Sequence, residues 1–307
     1  MPDGAPRGVT EDEAALYDRQ IRLWGLEAQN RMRSAHVVVL GLTGVATELI
    51  KNIVLSGVGR LTVVDDADVR ADDLNAGFFF RDADIGAPRI GAAPLQRIQQ
   101  LNPLVDVRGV RTLDAVDGNM DALVACRGTR AALEAHNDAA RAAHALFYAT
   151  AAHGWGGFVF SDLGDDYTYV ATRAAPGAAE RTAAAFVQAF RAATPAALAA
   201  ALEREADALL AARGVDEALV FARQRVDRAA FFAAFARAVW PAVAHGSDAA
   251  LPTTSAVLGG LVAQDLLNAL GRREAPLVNW LLLDTATGSA PVCAVGAPAA
   301  RALGGGL

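Results

Sequence analysis

Lysine and cysteine are the residues that this sequence has least of, and each scarcity excludes a class of chemistry. Lys51 is the one lysine among 28 basic residues, so lysine-dependent catalysis has a single candidate. The two cysteines, Cys126 and Cys293, lie far apart and outside any C-x-x-C pair. The sequence therefore carries neither a disulfide framework nor a cysteine-based zinc site, and it suits a reducing compartment.

Long apolar runs and clusters of basic residues are also missing. No stretch of about 18 uncharged apolar residues occurs, and the first twenty or so residues include acidic ones where a signal peptide needs an apolar segment. We therefore expect a protein of the cytoplasm or the nucleus without a membrane partner. The net charge is −6 and the arginines form no basic stripe, so we expect no nucleic-acid partner either.

What the sequence does contain is an alternation of strand and helix patterns that begins with one βαβ unit. The apolar run His36 to Leu40 predicts a strand, and helical spacing from Gly44 to Ser56 predicts the helix that follows it. Arg60 to Asp65 predicts a second strand that ends in an acid. A glycine-containing turn, Gly41 to Ala46, joins the first strand to the helix, as in dinucleotide-binding folds.

Weaker repeats of the same pattern complete the first half of the chain. They predict helices at 14–32, 89–100 and 129–143, strands at 105–112, 121–126 and 146–151, and antiparallel strands at 158–162 and 167–171. The predicted fold class is therefore α/β, with a doubly wound, Rossmann-like and mostly parallel sheet that has an antiparallel edge.

An alanine-rich segment interrupts this pattern in the second half. Residues 174–250 predict an inserted helical module, after which the chain returns to its first style. The elements predicted there are a helix at 252–270 and closing strands at 278–284 and 290–295. We therefore divide the chain into a first part of the core domain at 1–173, the module at 174–250 and a last part of the core domain at 251–307.

The glycine turn matches the G-x-G-x-x-G/A nucleotide-binding pattern only in part. Gly41, Gly44 and Ala46 fit the pattern. Thr43 occupies the middle position, where the backbone must approach a phosphate closely. Asp65 lies roughly 20 residues further on, where a carboxylate can accept the hydroxyls of a ribose. The residues leave two interpretations open: a nucleotide site, or a turn without a ligand in which Asp65 caps the residues that follow it.

Several longer strings occur together in an order that chance does not explain. They are YDRQIRLWG at 17–25, ELIKNIVLSGVG at 48–59, VVDDADV at 63–69, LNAGFFF at 74–80, LNPLVDV at 101–107 and LGGLVAQDLLNAL at 258–270. With the glycine turn, these strings resemble the adenylation domains of ubiquitin-like-protein activating enzymes, which have a ThiF/MoeB-like fold. The resemblance covers most of the chain outside the helical module.

The same resemblance implies that the ATP site of this chain is degraded. Active members of the family place an arginine and a lysine around the phosphates and an aspartate on the magnesium ion. Here the arginine position is Ala76, the lysine position is Arg89, and Cys126-Arg127 stands where active members carry the aspartate. The residues left to line a degenerate nucleotide site are Gly41, Gly44, Asp65, Asn75 and Arg89, and we expect no metal site.

Arg19, within the string YDRQIRLWG, is the residue that the resemblance implies to be catalytic. In the family, two subunits are related by a pseudo-two-fold axis, and this arginine reaches across to ATP on the partner. An arginine fork suits that role because it can neutralise polyphosphate oxygens during attack on the α phosphorus. The alternative is a surface residue in an ion pair on its own helix face. We interpret Cys126 and Cys293 as core residues of apolar strands and not as thioester nucleophiles.

Length and resemblance together favour the accessory subunit of a heterodimeric SUMO-type activating enzyme. The resemblance implies a larger catalytic subunit that binds most of the ATP and Mg²⁺, a SUMO-like modifier, and residence in the nucleus. Other interpretations stay open: an accessory subunit for another ubiquitin-like modifier, a self-sufficient homodimeric adenylyltransferase, and a scaffold or a dinucleotide-dependent oxidoreductase. The altered phosphate and metal positions count against the adenylyltransferase, and the absence of a recognisable acid–base pair counts against the oxidoreductase.

Overall fold

A computed structural model describes residues 16–164, 167–169, 251–273, 276–277, 280–285, 288, 290 and 292–293 of the chain. The helical module predicted at 174–250 lies outside these residues, and so does the predicted boundary at 173, whereas Leu251, the predicted start of the last part, is described. None of the described helices combines the length and the apolarity that crossing a membrane requires.

One mixed sheet organises the described part of the chain. Its strands are β1 His36–Leu40, β2 Arg60–Val64, β3 Asp106–Val110, β4 Ala122–Ala125, β5 Leu146–His153, β6 Gly156–Asp162, β7 Trp280–Asp284 and β8 Val292–Cys293. Their spatial order is β3-β2-β1-β4-β5-β6-β7-β8. Strands β1 to β5 pair in parallel, whereas β6, β7 and β8 join antiparallel. The predicted doubly wound, mostly parallel sheet with an antiparallel edge is therefore confirmed.

Helices cover the faces of this sheet. The described α-helices are α1 Asp18–Trp24, α2 Leu26–Ser34, α3 Gly44–Leu55, α4 Ala92–Gln99, α5 Arg130–Ala142 and α6 Pro252–Gly271. Every residue of β1 and of β4 is buried, as expected for parallel strands that are covered on both sides. Because the chain order reverses between β1 and β4, the carboxyl ends of these strands open on one crevice.

The N-terminal helix differs from its prediction. The sequence predicts one helix over 14–32, but the described residues form two helices, α1 and α2, separated at Gly25. Gly25 has a φ of +84°, which lies outside the helical region and ends α1 after seven residues. No residue of α1 is buried. A short, exposed helix therefore precedes the core of the protein.

The strand predicted at 167–171 is the second correction. Residues 167–169 are described and are not part of a strand. Both edges of β6 are already taken, by β5 and by β7, so the segment has no free ladder of that strand to join. Instead, the hydroxyl of Tyr167 donates to the backbone oxygen of Ala269 in α6, at 3.0 Å. The segment packs against a helix because the sheet positions next to β6 are filled.

The remaining predicted boundaries agree with the structure to within two residues in the described part, with one exception. The helix predicted at 89–100 begins at Ala92. Arg89 lies before it, where its backbone N–H donates to the oxygen of Ala67 at 3.0 Å. This pairing holds Arg89 beside the end of β2 and not on the helix.

Helix α6 brings the last part of the chain against the glycine turn. At Gly259 the backbones of α6 and α3 approach so closely that a Cβ would lie 2.7 Å from the oxygen of Val45. At the start of α6, Thr254 donates to the oxygen of Gly154, between β5 and β6, at 2.8 Å. The N-terminus of α6 thus lies at the same edge of the sheet as the crevice.

Candidate functional site

The crevice at the carboxyl ends of β1, β2 and β4 is the place where a doubly wound sheet normally binds a ligand. The glycine turn leaves β1 there and leads into α3. Thr43 caps α3, since its hydroxyl accepts the backbone N–H of Ala46 at 3.3 Å. The side chain at the imperfect middle position of the glycine pattern is therefore engaged with its own helix.

Asp65 follows β2 at the edge of the sheet where the crevice opens, and its side chain is fully buried. Its Oδ2 accepts the backbone N–H of Leu42 at 2.7 Å, within the glycine turn. Its Oδ1 accepts the backbone N–H of Ala67 at 2.9 Å. Asp65 thus joins the glycine turn to the residues after β2, and this is the capping arrangement that the sequence left open as the alternative to ribose binding.

Arg89 is also committed to partners within the chain. Its Nε and Nη2 bind the two carboxylate oxygens of Asp73 at 3.1 and 2.6 Å. Its Nη1 lies 3.5 Å from Oδ2 of Asp65, and only 10% of the side chain is exposed. A bidentate pair of this kind is among the stronger side-chain contacts, so Arg89 is held in place before any ligand arrives.

A second arginine, Arg127, reaches Asp65 from the other side. Arg127 follows β4, and its Nη2 donates to Oδ1 of Asp66 at 2.6 Å. Its Nη1 lies 3.5 Å from Oδ1 of Asp65. We refer to Asp65, Asp66, Asp73, Arg89 and Arg127 as the crevice cluster. Two guanidinium groups here face three carboxylates.

Ala76 lies against the glycine turn. A Cβ at Gly44 would be 2.5 Å from Cβ of Ala76 and 2.9 Å from Oγ of Ser255, the latter in the first turn of α6. Ser255 is buried, and its hydroxyl has no hydrogen-bond partner within the described part of the chain. Asn75 ends a short 3-10 helix, Ala71–Asn75, and is exposed. The start of α3 is therefore closely covered by small side chains.

The structure also places the remaining candidates for chemistry. Cys126 follows β4 and is buried beside the end of β1, where its backbone N–H donates to the oxygen of Leu40 at 2.9 Å. Lys51 pairs with Glu48 at 2.5 Å, and its ammonium lies 5.5 Å from the ring centre of Phe78. Among the described residues, no three His, Cys, Asp or Glu side chains are grouped in a way that could hold a metal ion.

Arg19 lies on α1, remote from the crevice. It is exposed, and within the part of the chain that the structure describes its side chain makes no hydrogen bond or ion pair. The ion pair on this helix instead joins Asp18 and Arg22, at 2.9 Å. Arg19 therefore presents an uncommitted guanidinium at the surface.

Tyr17 fixes the start of α1 to the core. Its side chain is 3% exposed, and its hydroxyl accepts Nδ2 of Asn102 at 2.8 Å. The ring lies against Gly57, where a Cβ would be 2.5 Å from the tyrosine hydroxyl. Gly57 follows the C-terminus of α3, and a 12-residue helix is about 18 Å long. Arg19 is thus held near the end of α3 that lies farthest from the glycine turn.

Of the residues predicted to form a site, Gly41, Gly44, Asp65 and Arg89 come together in the crevice, whereas Arg19 stands apart.

Sequence reasoning missed the contacts made by Asp66 and Asp73, which bind Arg127 and Arg89. It also missed the anchoring pair Tyr17 and Asn102. That pair could have been suspected, because both residues belong to the strings YDRQIRLWG and LNPLVDV that carried the resemblance.

Comparison with known proteins identifies relatives of this architecture. The ThiF family profile matches residues 17–301. Among solved structures, an Escherichia coli MccB complex with MccA-N7isoASN superimposes with a TM-score of 0.63 at 12% identity, covering 95% of this chain and 74% of that one. At that identity the likeness concerns the fold alone.

Two curated relatives are more similar in sequence. SUMO-activating enzyme subunit 1 of Rattus norvegicus is 48% identical over 105 residues, which are 34% of this chain and 30% of that protein. DNA damage tolerance protein rad31 of Schizosaccharomyces pombe is 28% identical over 309 residues, covering 92% of this chain and 97% of that protein. The stronger identity therefore spans less than a third of the rat protein, and the weaker one spans nearly all of the fission yeast protein.

Proposed function

This chain belongs to the ThiF family, and we propose that it is the accessory subunit of a heterodimeric SUMO-activating enzyme. In this proposal a larger catalytic subunit binds ATP and Mg²⁺, and the chain contributes Arg19 to that subunit's active site. The relative named SUMO-activating enzyme subunit 1 supports the assignment, because a first subunit implies a second. The observation that carries the catalytic role is that Arg19 lies exposed on an anchored helix and has no pairing partner among the described residues.

Arg19 would act on the adenylation of the modifier. The terminal carboxylate oxygen of the modifier forms a bond to the α phosphorus of ATP, and the bond from that phosphorus to the pyrophosphate oxygen breaks. Negative charge on the departing pyrophosphate and on the α phosphate oxygens must be stabilised during this exchange. A guanidinium has planar paired donors that suit phosphate oxygens, and it keeps its charge at physiological pH.

The position of Arg19 argues for action on a partner and not on this chain. The anchor formed by Tyr17 and Asn102 holds α1 at the far end of α3 from the glycine turn, about 18 Å away along the helix. Arg19 is only two residues from that anchor, which allows it at most about 7 Å of chain. It is therefore placed to reach outward from the surface.

The subsequent transfer of the modifier to a cysteine would also take place on the partner. Cys126 is the one cysteine whose side chain the structure describes, and it is 1% exposed within the sheet core. A thioester with a bulky protein modifier needs an accessible thiolate. We therefore assign the cysteine chemistry to the larger subunit, and with it the site at which the activated modifier is handed on.

The test is to co-purify the full chain with the large subunit of a SUMO-activating enzyme and to measure modifier-dependent ATP–pyrophosphate exchange. We expect Arg19→Ala to lower the exchange rate by about 10²-fold, the usual cost of removing one preorganised donor. Arg22→Ala is the matched control, because it removes an arginine from the same exposed helix that is already paired with Asp18. An exchange rate for Arg19→Ala equal to that of the control would exclude the catalytic role.

Two further measurements separate the alternatives. Exchange activity by the isolated chain would indicate a self-sufficient adenylyltransferase, and we expect none. Exchange supported by a different ubiquitin-like modifier and its large subunit, but not by the SUMO-type pair, would reassign the modifier. We also propose that the protein resides in the nucleus, which imaging of a fluorescent fusion checks directly.

A further inference from the structure

We infer that Arg127 closes the crevice at the carboxyl ends of β1, β2 and β4 from within, acting as a tethered cation that keeps a metal–nucleotide complex out. The inference goes beyond the proposed function, because it concerns the site of this chain and not the site to which Arg19 is lent. The supporting observation is that the Arg127 side chain extends from the end of β4, over the end of β1, to the carboxylates that follow β2.

The path of Arg127 crosses the end of the central strand. Arg127 follows β4, and the carboxylates that it contacts follow β2, while β1 lies between these two strands. The backbone on both sides is fixed, since Cys126 N–H donates to the oxygen of Leu40 and Gly41 N–H donates to the oxygen of Val64, at 2.9 and 2.8 Å. The side chain must therefore pass directly over Gly41.

Contact with Gly41 shows how closely it passes. A Cβ at Gly41 would lie 2.5 Å from Cγ and 2.8 Å from Cδ of Arg127. Gly41, the first glycine of the pattern, which serves the tight turn after the strand, therefore also leaves room here for the stem of an arginine side chain. A ligand that approached the turn at this point would have to displace the stem first.

Charge leads to the same conclusion. Both oxygens of Asp65 already accept backbone N–H groups, and each also lies 3.5 Å from a guanidinium nitrogen, of Arg127 or of Arg89. Asp66 is bound by Arg127 at 2.6 Å. Each oxygen of the carboxylate that could accept ribose hydroxyls thus already has one N–H donor and one guanidinium within ion-pair distance, and a divalent cation would compete with two fixed positive charges. A metal–nucleotide complex does not fit these residues as they are arranged.

The steric part of the inference is tested by coupling between Gly41 and Arg127. In the full chain, Gly41→Ala adds a Cβ that collides with the arginine stem and also strains a residue with a φ of +84°. In an Arg127→Ala background only the strain remains. Gly41→Ala should raise the unfolding equilibrium constant in both backgrounds. We expect the factor of increase to be at least tenfold smaller in the Arg127→Ala background than in the wild type.

Two control variants test whether the coupling with Gly41 is specific to the stem of Arg127. Arg111→Ala removes a guanidinium from the same rim, where its Nη2 donates to the backbone oxygen of Asp66 at 3.0 Å, without opening the turn. Gly41→Ala should retain its full effect in that background. Arg127→Met keeps a stem over Gly41 but removes the charge, so it should preserve most of the coupling. Equal effects of Gly41→Ala in the wild type and in Arg127→Ala would overturn the steric claim.

Closure itself is tested by titrating the full chain with ATP in the presence of Mn²⁺ in a calorimeter. We expect Arg127→Ala to bind the complex at least tenfold more tightly than the wild type and Arg111→Ala to match the wild type. Equal affinities of the wild type and Arg127→Ala, whether measurable or not, would show that Arg127 is not what closes the crevice. Both experiments use this chain alone, so they can fail while the trans role of Arg19 holds, and the reverse.

Discussion

The hydroxyl of Tyr148 donates to Oδ2 of Asp265 at 2.8 Å, which joins strand β5 to helix α6 across the core. Asp265 also accepts the backbone N–H of Leu277 on its other oxygen, at 2.6 Å. One carboxylate thus connects three segments that are distant in sequence. Burial raises the pKa of Asp265 from 3.8 to about 6, against the opposing effect of its two hydrogen bonds.

This relationship predicts that stability changes with pH in the window between those two pKa values. Because the folded state holds the Asp265 proton more tightly than the unfolded state, the contribution is fully present below about pH 4 and is lost as the pH rises through about 6. Between pH 5 and pH 7 the wild type should lose about 1 kcal/mol from this group, an upper figure because Asp265 is partly exposed.

Urea unfolding of the wild type and of Asp265→Asn at pH 5 and pH 7 checks this prediction. The amide cannot titrate, so the difference between the two proteins isolates the contribution of Asp265 from that of other carboxylates. Asp84 is one of those, and the Arg97 guanidinium holds its pKa below the usual range in both proteins. A pH dependence that is identical in wild type and variant would contradict the assignment.

The anchor of α1 gives a second prediction. Tyr17→Phe removes the acceptor for Nδ2 of Asn102 and leaves a buried N–H without that partner, although the same nitrogen still donates to Val54 at 2.9 Å. We expect a loss of about 1–2 kcal/mol in the free energy of unfolding. In the complex with the large subunit, we expect a lower exchange rate, because Arg19 depends on this anchor for its position.

Leu23→Ala is the control for that experiment, since Leu23 lies on the same helix and is 70% exposed. Its unfolding free energy should stay within about 0.5 kcal/mol of the wild type. If Tyr17→Phe left both stability and exchange unchanged, the tyrosine would not be what positions Arg19.

Much of this fold follows from local patterns. The apolar runs of β1, β2 and β4 predict buried parallel strands because each is flanked by helical spacing, and the structure has all three. The break at Gly25 was missed because the apolar residues before and after it keep one helical period. Only the positive φ of Gly25 separates the two helices, and sequence spacing does not report a backbone angle.

The site was less predictable, because its contacts connect residues after different strands. The sequence left two roles open for Asp65, binding of a ribose or capping of the residues that follow. Residue types did not reveal that both of its oxygens accept backbone N–H groups, those of Leu42 and Ala67. That Arg127 reaches Asp66 depends on β4 lying two strands from β2, a relationship that exists only once the sheet has formed. Residue type indicated a lost metal ligand, but it did not indicate where the replacing arginine points.

The two adjacent glycines of α6 provide the sharpest comparison of local and tertiary effects. At Gly259 a Cβ would lie 2.7 Å from the oxygen of Val45 and 3.0 Å from the nitrogen of Leu49, both backbone atoms of α3 that cannot move aside cheaply. At Gly260 a Cβ would meet nothing within 4 Å. Alanine stabilises a helix by about 1 kcal/mol relative to glycine, so Gly260→Ala should leave the free energy of unfolding unchanged or raise it by up to that amount. Gly259→Ala should instead lower the free energy of unfolding by about 1–3 kcal/mol through overpacking, with loss of the α3–α6 contact beside the glycine turn. Urea unfolding of the two variants measures both effects, and equal stabilities would mean that α6 does not lie against α3 at Gly259.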